Sequence, residues 1–479
     1  MAQRKHNTAS SDPKNLRVVS FRVGRSHADF HTAYTHCFQA RQLRNTLVAV
    51  SRESNNYRKW SDDSKSRANT SISDSVGAEC SKFVRSDPCL TTPYAYANLL
   101  PEVASQQELT LPKKCQQRVG VMVARSWKSF YGNPSKDGRA PGYTRTLFTV
   151  EYTSQALSLR ALRRGRIVPS GWSCGFKLPE HISVECVQSA RVVPKSIHEF
   201  ELEVIYVHSL KSVSVDRKPV VAGIDLGVNV LAAVAFSDHR EAILVNGKPL
   251  KATNAFYNKK IAEHRSVVDN QTANVSRRLN GDTKKGEPEY IYPFDVGNAK
   301  VQTLWNRRAR KIAHYLHTVS TQLTAELVSA GVGHVVIGWS PGFKSKMNLG
   351  RKTNQKFALI PHRRFVDELT RKLTEAGITV TEQEESYTSK ASFLDGDDIP
   401  TFHKNTKGSF TFSGTRTKRG LYRSASGAVI HADVNGAYNI VRKSGHAIEI
   451  PDKEFDTGTV VVPARRLKPS GYTPRRTSM

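Results

Sequence analysis

One stretch, Val220 to Phe236 (VVAGIDLGVNVLAAVAF), constrains this chain more than any other. Its apolar residues run almost without a break, the pattern of a strand buried on both faces. Asp225 and Asn229 inside it argue against a membrane span. An unpaired carboxylate is expensive to bury, so Asp225 demands a partner. It either caps a Gly-flanked turn or ligates a metal at the centre of the strand. From about Lys218 onward the chain alternates strands and helices. The readings are a buried strand over Pro219 to Phe236, a strand over Glu241 to Val245 and a long helix over Val296 to Ala330. A strand (His334 to Ile337), a helix (Pro361 to Ala376), a strand (Ile378 to Glu382) and a final helix after Asp433 follow. That alternation is an α/β signature.

The first half reads differently. Leu16 to Val23 has strand character, His31 to Trp60 carries helical spacing, and Ser61 to Ser75 is a Ser/Asp/Asn-rich loop. A helix over Lys113 to Tyr131 presents Val119, Val123, Trp127 and Phe130 at core spacing, with Lys114, Arg118, Arg125 and Lys128 on the rest of its surface. Gly132 to Tyr143 is rich in Gly, Pro and Lys. Beyond it LFTVEYT, LSLRAL, ISVECVQSARVV and EFELEVIYV alternate or run apolar, as the strands of a small barrel or sandwich would. From Pro463 the sequence has five basic residues and no acid, which predicts a disordered tail.

At 479 residues the chain is long enough for two to four units. Lys and Arg number 72 against 42 Asp and Glu, a formal charge of +30. Self-repulsion on that scale calls for a polyanion, and a nucleic-acid phosphate backbone is the natural one. The first residues, MAQRKHNTASSDPKN, hold no apolar segment, so a soluble, cytoplasmic protein with no membrane partner is expected. All six cysteines precede residue 187 and form no C-x-x-C pair, which argues against a disulfide framework and a zinc knuckle. Aromatic residues interleaved with bases, such as Tyr57, Lys59 and Trp60, or Trp127, Lys128, Phe130 and Tyr131, are either base-stacking platforms or helix core.

A second acid, Asp433 in HADVNGAYNIV, lies where a helix begins and on its own would be an ordinary N-cap. Taken together, GIDLGV and HADVNGAYNI, about 200 residues apart, resemble the first and last nuclease motifs of the TnpB family and its compact type V CRISPR relatives. NLGRKTNQKFALIPH, EESYTSKASFLD and GRAPGYTRTLFTVEYTSQALSL are similar to the same family. The resemblance is dense over 218 to 445, looser over 130 to 215 and slight before 130. It implies a multidomain α+β protein: an N-terminal wedge β-barrel (1–28 and 132–215) with an inserted helical recognition lobe (29–131). An RNase H-like α/β RuvC nuclease domain (216–450) follows, with a basic insert at about 386–430, and then a basic tail (451–479).

Two departures from the family pattern stand out. The middle motif usually ends its strand in Glu, whereas HVVIGWS has Gly338 there. The next strand, ITVTEQEESYTSK, ends in Glu382, Glu384 and Glu385. If it lies beside the Val335 to Ile337 strand, the two strand ends are about 5 Å apart, and an acid there could replace the missing one. This resembles a branch of the family with a relocated catalytic glutamate. Alternation does not decide between Glu384 and Glu385; Glu385, next to the SYTSK turn, is preferred. Secondly, the positions of the family's zinc-binding C-x-x-C pairs hold Ser392, Asp395, Arg423 and Ser426, so no zinc is expected in the insert.

The resemblance implies an RNA-guided DNA endonuclease in which Asp225, Glu385 and Asp433 are catalytic and hold Mg2+ (or Mn2+) for two-metal-ion hydrolysis. Its partners would be a guide RNA and double- and single-stranded target DNA. Arg307, Arg308, Arg416, Lys418, Arg419, Trp127 and Lys128 are the candidates for nucleic-acid contact. Rival readings are a nuclease-dead guided binder, for which Gly338 speaks, a transposase on the same fold, and a non-catalytic RNA-binding structural protein.

Overall fold

The computed structural model describes residues 16–57, 78–86, 88–133, 138–208, 220–279, 297–339, 360–401, 410–418, 420–450, 461–467 and 469. The chain divides between Ser209 and Leu210 into two units. The expected loop at Ser61 to Ser75, together with Lys59, Trp60 and Arg419, lies outside the described residues.

In the first unit β1 (Leu16–Gly24) leads into α1 (Phe30–Tyr57), and α2 (Ala78–Arg85), α3 (Leu99–Gln106) and α4 (Lys113–Tyr131) follow. Next come β2 (Val150–Thr153), the single turn α5 (Leu159–Leu162), and the short pair β3 (Arg166–Ile167) and β4 (Phe176–Lys177). The long strands β5 (Val187–Ser196) and β6 (Glu199–Val207) complete an antiparallel sheet in the order β1-β6-β5-β2. LSLRAL, expected as a strand, is instead the turn α5, because Ser158 caps it by accepting from the Ala161 N–H. Trp127 also corrects an expectation. It has no exposed surface, and its indole N–H donates to Ser51 Oγ, so it packs α4 onto α1 and offers no face to a base.

The second unit begins with a second correction. The apolar run is two strands, β7 (Val220–Leu226) and β8 (Val230–Phe236), folded as an antiparallel hairpin. With β9 (Ala242–Asn246) they form the centre of a six-stranded mixed sheet. The helices α6 (Lys248–Leu279) and α7 (Gly297–Ser329) precede β10 (Val332–Gly338), which runs parallel to β7. The helix α8 (His362–Glu375) returns the chain to β11 (Thr379–Gln383), parallel to β10. A small antiparallel sheet of β12 (Thr415–Lys418), β13 (Leu421–Arg423) and β14 (Val429–His431) leads into α9 (Ala432–Lys443). The last strand among the described residues is β15 (Ala464–Leu467).

The large sheet reads β11-β10-β7-β8-β9-β15. One face buries Tyr315, Leu316, Val319 and Leu323 of α7 and Phe365, Val366 and Leu369 of α8. The other buries Val434, Ala437 and Tyr438 of α9 against Ala233, Ala235 and Leu244. This mixed sheet, with helices on both faces, has the strand–helix alternation expected of the second half of the chain. β15, in contrast, lies inside the region expected to be a disordered tail. Its residues pair in parallel with β9 from Ala464↔Ala242 to Leu467↔Val245, so here ladder hydrogen bonds outweigh the basic composition.

Candidate active site

The site is built where parallel strands end. Ile224 of β7, Ile337 of β10 and Glu382 of β11 share a row of the sheet, so one residue on, Asp225, Gly338 and Gln383 share the next. Carboxyl ends of parallel strands are where α/β sheets gather their reactive groups. Two glycines let α9 approach this point. A Cβ on Gly223 would lie 2.2 Å from the Ala437 carbonyl oxygen, and one on Gly436 would lie 2.9 Å from Asp225 Oδ2. The Asp225 carboxylate therefore rests against the backbone of α9, whose first turn carries Asp433. Asp433 is not the cap of that helix. His431 is, its Nδ1 accepting from the Asp433 N–H at 3.3 Å, which leaves the Asp433 carboxylate free to meet the guanidinium of Arg416 at 3.4 Å.

The three acids at the end of β11 separate by environment. Glu382 faces out and takes Arg363 at 2.8 Å. Glu384 is engaged: one oxygen accepts from Lys443 Nζ at 2.5 Å and the other from the Ser386 N–H at 2.8 Å. Glu385 turns the other way. Its Oε2 comes within 3.2 Å of the point where a Cβ on Gly338 would stand, so a carboxylate from the neighbouring strand end occupies the space beside the residue that lacks one.

Electrostatics reflect this gathering of charge. Burial, then the carboxylates of Asp433 and Glu385, push Asp225 well above the usual carboxylate range, against the pull of Arg416. Burial, reinforced by Glu384 and opposed by Lys443, pushes Glu385 up to about 7. An all-oxygen set of mutually repelling acids suits a hard divalent cation. Among the described residues the group whose ligand atoms all lie within 4.8 Å of one another is a different one, His27, Asp29 and Cys174. Asp29 already accepts from the N–H groups of Ser173, Cys174 and Gly175, the Ser173 hydroxyl and the Cys174 thiol. That carboxylate is a saturated cap on a turn. Asp225, Glu385 and Asp433 do not form so close a group among the described residues.

The other candidates fare unevenly. Arg307 is exposed, whereas the Arg308 Nε donates to Asn254 Oδ1 at 2.8 Å and its guanidinium stacks on Trp305, so Arg308 is tied between α6 and α7. Lys128, Arg416 and Lys418 are exposed. At the positions of the family's zinc ligands, Asp395 accepts from the Ala425 N–H at 3.0 Å, and nearby Asp397 accepts from the Ser392 and Ser413 N–H groups at 2.8 and 3.1 Å. Hydrogen bonds to carboxylates link the loops there. The sequence reading missed Asn435, Asn439 and Lys443, polar residues four apart on α9, a spacing that puts them on one stripe; the described structure buries both asparagines fully.

Comparison with known proteins agrees with the resemblance. Residues 204–340 match a family model described as a probable transposase, OrfB_IS605. Residues 362–440 match the Cas12f1-like TNB domain. Over 226 residues the chain is 26% identical to the TnpB-like protein ORF457 of Acidianus two-tailed virus, covering 47% of this chain and 42% of that protein. The chain thus matches less than half the length of that relative. Among solved structures, a Cas12f1–sgRNA–target DNA complex aligns over 89% of this chain and 98% of that one, at 14% identity and a TM-score of 0.29. An AacC2c1–sgRNA–extended non-target DNA complex aligns over 85% and 70%, at 9% identity and a TM-score of 0.34.

Proposed function

Because the second half of the chain belongs with the TnpB proteins and compact type V effectors, we propose that the protein is an RNA-guided DNA endonuclease. It would cut guide-matched DNA next to a short flanking motif by metal-dependent phosphodiester hydrolysis. The observation that supports this reading is the approach of Glu385 to Gly338 beside Asp225: an acid lost from one strand end is supplied by the next. A silent binder has no need of that replacement.

Asp225 is the central ligand, with Glu385 and Asp433 on either side of it, and Arg416 holds the Asp433 carboxylate. When bound, Mg2+ or Mn2+ supplies an activated water and offsets charge on the scissile phosphate. The chain's own contribution is to hold three carboxylates oriented at the end of a rigid sheet, where burial and then neighbouring acids make Asp225 and Glu385 costly to ionise until a cation arrives. The first unit, with its sheet as wedge and its helices as recognition lobe, would bind the guide and its heteroduplex through the backbone, while base pairing reads the sequence. The net charge of +30 fits that partner.

The test is cleavage of guide-matched DNA by wild type, Asp225→Ala and Asp433→Ala. Each substitution should lower Mg2+-dependent cleavage on the order of 10³-fold, several kcal/mol of lost charge stabilisation, and leave guided DNA binding within twofold. Guided binding by the wild type with no cutting in Mg2+ or Mn2+ would make the protein a silent binder; strand joining of transposon ends without a guide would make it a transposase.

A further inference from the structure

The helix α9 does more than present Asp433. Asn435, Asn439 and Lys443 succeed one another every fourth residue and so lie along one stripe of the helix. That stripe faces the irregular segment 384–393, which follows β11 and carries Glu385. Asn435 accepts from the Phe393 N–H at 2.9 Å and donates to the Ala391 carbonyl at 2.8 Å. Asn439 donates to the carbonyls of Thr388 and Ala391 at 2.9 and 2.7 Å. Lys443 Nζ reaches Glu384 at 2.5 Å, the Ser386 carbonyl at 2.8 Å and the Pro400 carbonyl at 3.1 Å. Both asparagines are fully buried, and the lysine side chain is 5% exposed.

A segment without helix or strand must send its backbone hydrogen bonds somewhere. Beside turn bonds within the segment and bonds to Asp397 and Tyr422, the Phe393 N–H and the carbonyls of Ser386, Thr388 and Ala391 go to this one helix. Within the segment, the Glu385 carbonyl accepts from Thr388 Oγ1 at 2.8 Å, so the turn fastened through Thr388 is the turn that aims Glu385. The same helix carries Asp433 and, at Gly436, seats Asp225. An acid relocated to a strand end has little sheet to fix its direction, and this stripe supplies what the sheet does not.

We infer that Asn435, Asn439 and Lys443 are positioning residues that set the affinity of the Glu385 side of the site for its divalent cation. The inference rests on the reading of Asp225, Glu385 and Asp433 as a metal site. Residues that orient a ligand from behind contribute about 10–100-fold to metal affinity, because a ligand free to swing must be ordered on binding.

The experiment titrates the full-length protein, free of nucleic acid, with Mn2+ and follows the EPR signal of the unbound ion. Asn439→Ala and Lys443→Met should each raise the Mn2+ dissociation constant about tenfold or more, and Lys443→Arg should restore it to within threefold. Leu316→Ala, in the core on the opposite face of the sheet, serves as a control for stability loss and should leave the constant unchanged. If Asn439→Ala and Lys443→Met lower the melting temperature like the control and bind Mn2+ as wild type does, the stripe is structural only and the inference is wrong. If Asp225→Ala also leaves Mn2+ binding unchanged, the metal-site reading itself fails, and the two failures are told apart.

Discussion

Replacing Glu385 by Gln in protein stripped of divalent ions should stabilise it at alkaline pH and not at acid pH. The carboxyl titrates at about 7 in the folded chain instead of 4.5, so its contribution to stability is complete below pH 4.5 and is lost as pH rises through about 7. At 1.36 kcal/mol per pH unit that displacement is worth about 3 kcal/mol, and solvent reaching the partly exposed side chain reduces it to about 1–3 kcal/mol. Gln keeps the shape of the protonated acid and never ionises. In a unit of this size a kcal/mol moves the melting temperature by about 2–4 °C. The difference between Glu385→Gln and wild type should therefore grow by roughly 3–10 °C between pH 5 and pH 8 in EDTA. The measurement is a pair of thermal melts at each pH, followed by near-UV circular dichroism. Millimolar Mg2+ at pH 8 should then raise the wild type and leave the variant where it was, since the ion stabilises only a folded state that binds it. A difference that stays flat from pH 5 to pH 8, or a Mg2+ effect equal in both proteins, would refute the assignment of Glu385 to a strained ion site.

Gly436→Ala should cut cleavage about 100-fold, the cost of a misplaced catalytic group, because its methyl would stand 2.9 Å from Asp225 Oδ2; stopped DNA-cleavage kinetics would measure it. Arg307→Ala and Lys418→Ala should each lower the slope of log affinity against log salt for nucleic acid by about 1, whereas Arg308→Ala, whose guanidinium bonds Asn254, should leave the slope alone and lower the melting temperature. Trp127→Ala should destabilise the first unit by about 3–5 kcal/mol, read by chemical denaturation, and Lys128→Ala beside it by no more than about 0.5 kcal/mol.

The second half was legible in the sequence where physics leaves few choices. An acid inside an apolar run had to be paired or to ligate, and Asp225 proves to be ringed by Asp433 and Glu385. Strands read at 334–337 and 378–382 are neighbours, so an acid at the later strand's end can reach the earlier one. The hairpin between β7 and β8 was hidden because Gly227, Val228 and Asn229 interrupt an apolar run without a strong turn signature and both strands are buried. The helix α6 escaped notice because it is largely polar, with Leu250, Tyr257 and Ile261 its buried apolar side chains among the described residues. Glu384 and Glu385 could not be separated by alternation, since the deciding contact, Lys443, lies 59 residues away. The role of Trp127 was ambiguous for a related reason: a base platform and a core residue share one helical spacing, and only its burial against Ser51 distinguishes them.

The pairing of β15 with β9 bears on the order in which the nuclease sheet can be completed. β9 has its antiparallel neighbour β8 almost at once, but the ladder on its other edge waits for Ala464 to Leu467, more than two hundred residues later. During synthesis at about 5–20 residues per second, that edge stays open for ten seconds or more, a row of unpaired N–H and C=O groups on an apolar strand (Ala242–Asn246). A nascent chain of this protein is thus exposed to mispairing with its neighbours from the synthesis of Asn246 until that of Ala464 to Leu467.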